Sequence, residues 1–320
     1  MNYKKPSISS TLMSLKLLTK VSVPWLPGYH LAANMLKKLH SIRNHDSFIE
    51  RLPAPRVSNT SIVMHNNQIK IILTNLNRCS IAKRAFWNSG ALYPLQDLKA
   101  LDVFMKLAKH ADCILDIGCN SGLFSLSSAL TNPKATIFAF DILPEAWHIF
   151  IDNMIANRIA NNCCFMLLGI GEPNSSVRIP LDSVSSEMPT SLRIDNQICN
   201  GSRYCDVNVT SLDALIESLN LTIGKSPLVK IDVEGLENLI FRHSHTFTKE
   251  YRPVILCEIL QKSVFVECNA FLDQHNYVKH LITEHGLERM EIVNPLQKYR
   301  DWLFVPAELN QDITTYLRNP

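Results

Sequence analysis

Two stretches of this 320-residue sequence place chemically capable side chains at spacings a fold can use. The first, Cys113 to Gly122, reads Cys-Ile-Leu-Asp-Ile-Gly-Cys-Asn-Ser-Gly. An apolar run leads to Asp116, glycines follow at 118 and 122, and Leu123, Phe124 and Leu126 continue at helical spacing. The pattern predicts a strand, a tight turn and a helix, and glycines at such a turn permit positive φ and close approach of a ligand to backbone. The second stretch, Lys230-Ile-Asp-Val-Glu-Gly, puts Lys230, Asp232 and Glu234 on one side of a strand and Val229, Ile231 and Val233 on the other. Three charges on one side of a central strand are costly unless paired or used. A third carboxylate, Glu258, ends the apolar run from Val254 to Cys257. Carboxylates that meet in one site can take a hydroxyl proton, hold a substrate or share a divalent cation.

The glycine loop discriminates between ligands. A dinucleotide loop wants Gly-x-Gly-x-x-Gly, whose middle glycine admits a pyrophosphate to the helix N-terminus. Asn120 stands in that middle place. A carboxylate two residues ahead of the first glycine repels phosphate and suits an ammonium or sulfonium. The spacing Asp-x-Gly-x-Asn-x-Gly resembles the first motif of class I S-adenosylmethionine (SAM) methyltransferases. A plainer reading is that Gly118 and Gly122 only close a strand-to-helix turn.

Several elements must position these residues. Pro94 opens a helix with Leu95, Leu98, Leu101, Met105 and Ala108 on one face, ending at His110. A strand from Ala135 to Phe140 ends at Asp141, about twenty residues past the loop, where ribose hydroxyls of a nucleotide are caught. Asp141 is also placed to cap the segment that starts at Pro144. In that segment Trp147, Phe150, Ile151, Met154 and Ile155 recur at helical spacing and read as core. A third strand, Cys163 to Leu168, delivers Gly169 and Gly171, whose backbone suits the face of an adenine. Between Glu172 and Asn208 the chain turns polar, with strand-like pieces at Val177 to Leu181 and Asp206 to Val209, either a substrate wall or a passive hairpin. Gly235 is expected to start a helix containing Glu237, Leu239 and Ile240. An earlier strand is expected over Gln68 to Leu73, after a linker near Arg51 to Asn59. Strand ends then bring Asp116, Asp141, Asp232 and Glu258 to one edge of a parallel sheet, where such folds bind ligands.

Asp116 to Gly122, Ser211-Leu-Asp213, Lys230 to Glu237, Arg252-Pro253 with Glu258 beyond, and Leu303-Phe-Val-Pro306 together resemble the FkbM family of SAM-dependent methyltransferases. The likeness runs from about Asn66 to Pro306, and Lys-Ile-Asp-Val-Glu-Gly-x-Glu is its most specific part. It implies a Rossmann-like class I α/β fold, a mostly parallel central sheet flanked by helices, with S-adenosyl-L-methionine as cofactor. It further implies methyl transfer to a hydroxyl of a small-molecule or glycan acceptor, a sugar or natural product. Cofactor contact maps onto Asp116, Gly118, Asn120, Gly122 and Asp141, to which the third strand adds Gly169. Three positions depart from the family: Tyr93-Pro94 where many relatives carry Glu-Pro, Asp141 where Glu is common, and Cys119 where Ala is common.

On the catalytic reading Asp232 accepts or orients the acceptor hydroxyl, Glu234 or Glu258 holds the substrate, and a variant places Mg2+ between the carboxylates. On the structural reading Lys230 and Glu234 form a buried pair while Asp232 caps the following helix. Two other functions compete: a non-catalytic SAM-fold binding protein and an NAD(P)-dependent reductase. Asn120 and the lack of a Tyr-x-x-x-Lys pair weigh against the reductase.

Composition bounds the rest. The expected organisation is a basic, partly helical N-terminal extension over 1–58, accessory strands and a covering helix over 59–110, a catalytic domain over 111–310 and a tail over 311–320. A net charge of +3 gives no case for nucleic acid as partner. Nine cysteines without a Cys-x-x-Cys pair read as reduced, buried thiols in a cytoplasmic setting, with Cys163 and Cys164 in the core. From Met1 to His45 there are seven Lys or Arg and no Asp or Glu, and Leu12, Leu15, Leu18 and Val21 form a helical stripe beside Lys16 and Lys20. That segment predicts either peripheral contact with an anionic membrane or a helix docked on the protein's own domain. Pro24, Pro27 and Gly28 break the uncharged stretch that follows, which excludes a spanning helix there. A secretory signal is disfavoured, and an organelle transit peptide stays open.

Overall fold

The computed structural model describes residues 22–42, 52–55, 59–64, 69–92, 95–159, 161–181, 203–219, 223–260, 264–294 and 299–318. Its strands are β1 (Asn59–Met64), β2 (Ile69–Thr74), β3 (Cys113–Ile117), β4 (Thr136–Asp141), β5 (Cys163–Leu167), β6 (Gly169–Ile170), β7 (Ser175–Pro180) and β8 (Tyr204–Thr210). They continue with β9 (Pro227–Ile231), β10 (Val254–Glu258), β11 (Tyr277–Thr283), β12 (Gly286–Met290) and β13 (Asp301–Pro306). An eight-stranded sheet in the order β12-β11-β13-β10-β9-β3-β4-β5 organises the molecule. The five strands from β10 to β5 run parallel, whereas β13 is antiparallel to both its neighbours and β12 hairpins back on β11.

Parallel strands are covered on both faces and so read as unbroken apolar runs. β3 and β9 are buried at every residue. Alternation along β3 sends Leu115 into a core with Val229, Ile231, Phe241 and Phe304. Ile114 goes to the opposite core, with Leu228, Leu256, Leu303 and Phe104 of the Leu95–Ala108 helix. The chain winds from β3 outward through β4 and β5, then returns to β9 on the other side of β3. The reversal leaves a crevice between β3 and β9 at their carboxyl ends, the place where open α/β sheets take ligands.

The β1–β2 hairpin lies against the Pro144–Asn157 helix, where Asn153 Oδ1 accepts from Thr74 N (2.7 Å) and Asn157 Oδ1 from Ile72 N (2.7 Å). The Tyr29–Ile42 helix falls within the extension expected to be partly helical, and it docks through buried Ala33 and a hydrogen bond from the Tyr29 hydroxyl to Pro53 O (2.7 Å). No helix among the described residues is long and apolar enough to cross a membrane.

Some expectations need correcting. Cys164 is exposed and Cys163 only partly covered, because β5 is the sheet's outer strand. Trp147 and Ile155 are 44% and 70% exposed, since their helix buries only Ala146, Ile149, Phe150, Asn153 and Met154. The helix expected from Gly235 starts at Glu237 and is six residues long. The stripe at Leu12 to Val21, Tyr93-Pro94 and residues 182–202 of the polar stretch lie outside the described residues.

Candidate active site

The turn after β3 is held by backbone. Gly118 N and Cys119 N both donate to Phe140 O on β4, at 2.9 and 3.0 Å. Gly118 has φ +77°, and a Cβ there would sit 1.8 Å from Asp232 O, so the glycine is required by the β9 backbone as well as by any ligand. Gly122 has φ +82°, and its Cβ would lie 2.3 Å from the buried Phe150 ring. That glycine lets the Leu123–Thr131 helix meet its neighbour. Asn120 also takes positive φ (50°), a conformation Asn tolerates better than most residues.

Asp141, at the end of β4, accepts from Asn120 N (2.8 Å) through Oδ2 and from Leu143 N (2.9 Å) through Oδ1. Burial pushes its carboxyl up to about 6 against those donors. Asp116 is 1% exposed and accepts from Ser125 N (3.0 Å) and Ser125 Oγ (2.6 Å). Burial, the largest influence, raises it to about 6 too.

Beyond these strand ends opens a cavity of about 660 Å³, a size that holds a drug-sized ligand. Gly118, Asn120, Asp141 and Gly169 line it, with Ile142, Leu168, Ile170 and Val209 as apolar wall. Of the residues to which cofactor contact was mapped, Asp116 and Gly122 are not among those lining this cavity. The carboxylate of Asp116 is turned to the helix start, and Gly122 serves packing.

Asp232, Glu234 and Glu258 all face the same cavity. Asp232, Glu258, Arg300, Asp97, Arg84 and Ile81 also border a smaller chamber of about 130 Å³ that reaches Lys230, Leu92 and Phe124. Lys230, 2% exposed, lies 3.4 Å from Asp232 Oδ2 and over the Phe124 ring at 5.1 Å. Burial opposes its charge, but Asp232, Glu258 and Asp301 outweigh that and the net shift is upward. Glu258 accepts an ion pair from Arg300 Nη1 at 3.2 Å, yet burial, aided by Asp232, pushes it up to about 8. Burial likewise raises Glu234, whose backbone is held at φ 55°.

These contacts revise the structural reading of the motif. Lys230 pairs with Asp232, not with Glu234. Asp232 does not cap the helix, whose first residue is Glu237 and which has no side-chain cap. Fully buried Glu237 supports the turn instead, its Oε1 accepting from Gly235 N (2.9 Å).

Sequence reasoning missed Arg300, Asp97 and Arg84. Arg300 comes from the residue before β13, and because β13 runs backward Asp301 registers with Glu258. The signal was topological: an antiparallel strand beside β10 begins where β10 ends. Asp97 and Arg84 sit on the Leu95–Ala108 and Ser80–Trp87 helices, 3.9 Å apart. Among the described residues no group of three or more His, Cys, Asp or Glu is placed to hold a metal ion, and the positive charge beside Asp232 is that of Lys230.

A family model described as the methyltransferase FkbM domain matches residues 116–311. No curated protein matches the chain. Among solved structures the chain is similar to methyltransferase FkbM from Methylobacillus flagellatus KT, at 14% identity and TM-score 0.41, over 61% of this chain and 43% of that one. It is also similar to a SAM-dependent methyltransferase from Agrobacterium tumefaciens, at 9% identity and TM-score 0.43, over 78% and 71% of the two chains. Precorrin-6y C5,15-methyltransferase from Geobacter metallireducens GS-15 matches at 13% identity and TM-score 0.36, over 63% and 85%.

Proposed function

The chain belongs to the FkbM methyltransferase family, with a Rossmann-like fold built on a large, mostly parallel sheet, and from that premise we propose that it is a SAM-dependent O-methyltransferase. Its acceptor on this reading is a hydroxyl of a small molecule or glycan. The observation that carries the proposal is the wall of Asp232, Glu258 and Arg300 shared by the 660 Å³ cavity and the 130 Å³ chamber.

The large cavity fits the cofactor by the chemistry of its lining. Asp141 takes the ribose hydroxyls with acceptor capacity left by its two backbone donors. Ile142, Leu168, Gly169, Ile170 and Val209 form an apolar slot for the adenine, and a Cβ at Gly169 would approach Val209 Cγ2 to 2.9 Å and narrow it. Glu234, which lines the same cavity, supplies negative charge toward the cationic end. When bound, SAM would supply a methyl group activated by its sulfonium for in-line transfer to an acceptor oxygen, with the neutral thioether S-adenosylhomocysteine as leaving group.

Positioning does most of the work in such a displacement. Asp232, kept beside the charged Lys230, accepts the hydroxyl proton. Glu258, holding its own proton near neutral pH, donates a hydrogen bond to the acceptor, and Arg300 orients Glu258. Leu92, Leu123 and Phe124 form the apolar part of the chamber's wall.

Incubation of the purified protein with methyl-labelled SAM and a panel of sugars and polyhydroxylated metabolites, read by mass spectrometry, tests the reaction class. Label recovered as a methyl ether supports it. Label only on nitrogen or carbon, or none dependent on acceptor, overturns it.

A further inference from the structure

The Tyr29–Ile42 helix is docked on one side, and its other side exposes two large apolar residues beside Asn34 and Lys38. Ala33 is fully buried, Leu36 packs into the core that contains Leu52, Phe86, Trp87 and Leu92, and Lys37 Nζ lies 4.3 Å over the Phe86 ring. Opposite that docked side, Leu31 and Met35, four residues apart and so one above the other, are 62% and 68% exposed. The turn before the helix adds Trp25 at 62% and Leu26 at 55%. A surface helix of a globular protein normally keeps its outward side polar, so this side calls for a covering.

Charge says what covers it. The chain from Met1 to His45 carries seven Lys or Arg and no acid, while the molecule as a whole is near neutral at +3. Of the seven, Lys37 lies on the docked side and Lys38 is exposed, and the sequence on either side of the helix adds five more with no acid. Basic residues flanking exposed apolar ones, a tryptophan among them, are the composition of a segment lying on an anionic bilayer. A protein partner of acidic surface would share the charge argument, but exposed apolar side chains with an indole among them suit a headgroup boundary better.

We propose that Trp25, Leu26, Leu31 and Met35 insert into the headgroup region of an anionic lipid surface, and that the Tyr29–Ile42 helix fixes the catalytic domain on it. The same helix packs against the core that includes Leu92, a residue that lines the small chamber. The proposal is independent of which acceptor is methylated, and vesicle binding reads it without turnover.

The test is co-sedimentation of the full chain with phosphatidylcholine vesicles, with and without phosphatidylserine, at low and high salt. Binding to the anionic vesicles only, weakened by salt, is expected. Leu31→Ser with Met35→Ser, both exposed, should lower the apparent partition coefficient by about tenfold or more while thermal melting and SAM binding stay unchanged. A second variant lacking residues 2–21 separates this surface from the segment before it. No binding of the intact chain to anionic vesicles overturns the proposal. So does full binding by the double variant, whether residues 2–21 then account for the contact or not.

Discussion

Lys230 governs the electrostatics of the shared wall. It is a buried cation whose charge is held by Asp232, Glu258 and Asp301, and it in turn steadies Asp232. Replacing Asp232 by Asn keeps the shape and removes the proton acceptor. Turnover should fall about a hundredfold, or roughly 3 kcal/mol of transition-state stabilisation, with SAM affinity little changed. Steady-state kinetics and calorimetry on the variant check both halves, and wild-type turnover would remove Asp232 from the chemistry. Glu258 gives a prediction of pH dependence. Its folded value lies well above 4.5, near 8, so at pH 7 it carries a proton, and raising pH through 8 places a second negative charge beside Asp232. Glu258→Gln mimics the protonated acid, so its activity at pH 7 should be near wild type and its loss of rate above pH 8 should disappear. An unchanged alkaline limb in the Gln variant would contradict this. Asp116 acts on stability. Its folded value of about 6 exceeds the ordinary 3.8, so the stabilisation it gives is complete below pH 3.8 and is lost as pH rises through 6. The upper size of that loss is about 3 kcal/mol. Asp116→Asn should therefore show a flatter melting-temperature profile between pH 4 and 7, measured by calorimetry.

At the scale of elements, β3, β4 and β10 were legible because strands buried on both faces leave apolar runs that lead to an acid, and β9 because charged and apolar residues alternate from Lys230 on. The crevice between them was legible for the same reason, since the acids mark the carboxyl ends. What hid Arg300, Asp97 and Arg84 is that a charged residue on a helix or ahead of a strand reads as solvated until topology places it. The glycines were read for ligand room, yet the structure gives Gly118 to the Asp232 backbone and Gly122 to the Phe150 ring. Gly122→Ala should accordingly destabilise the fold by about 1 to 3 kcal/mol through overpacking at a buried ring. Gly28→Ala, with the same sign of φ but no atom within 4 Å, should cost only its backbone strain. Denaturant unfolding of the two variants compares them, and equal losses would show that the Phe150 contact carries no weight.

For the molecule as a whole, the winding of one sheet places two compartments on one edge, with Asp141 and the glycine turn in one and the Lys230 cluster between them. The extension was expected to be partly helical, but the sequence did not locate the Tyr29–Ile42 helix, because Pro24, Pro27 and Gly28 just before it read as breaks. A SAM-dependent reaction requires that the large cavity hold SAM. Isothermal titration of the full chain with SAM, S-adenosylhomocysteine and NAD(H), repeated on folded Asp141→Ala, addresses that directly. Saturable binding of the first two, absent for NAD(H) and weakened by about tenfold or more in the variant, is the predicted result. Binding of NAD(H) in their place, or SAM affinity equal in wild type and Asp141→Ala, would contradict it.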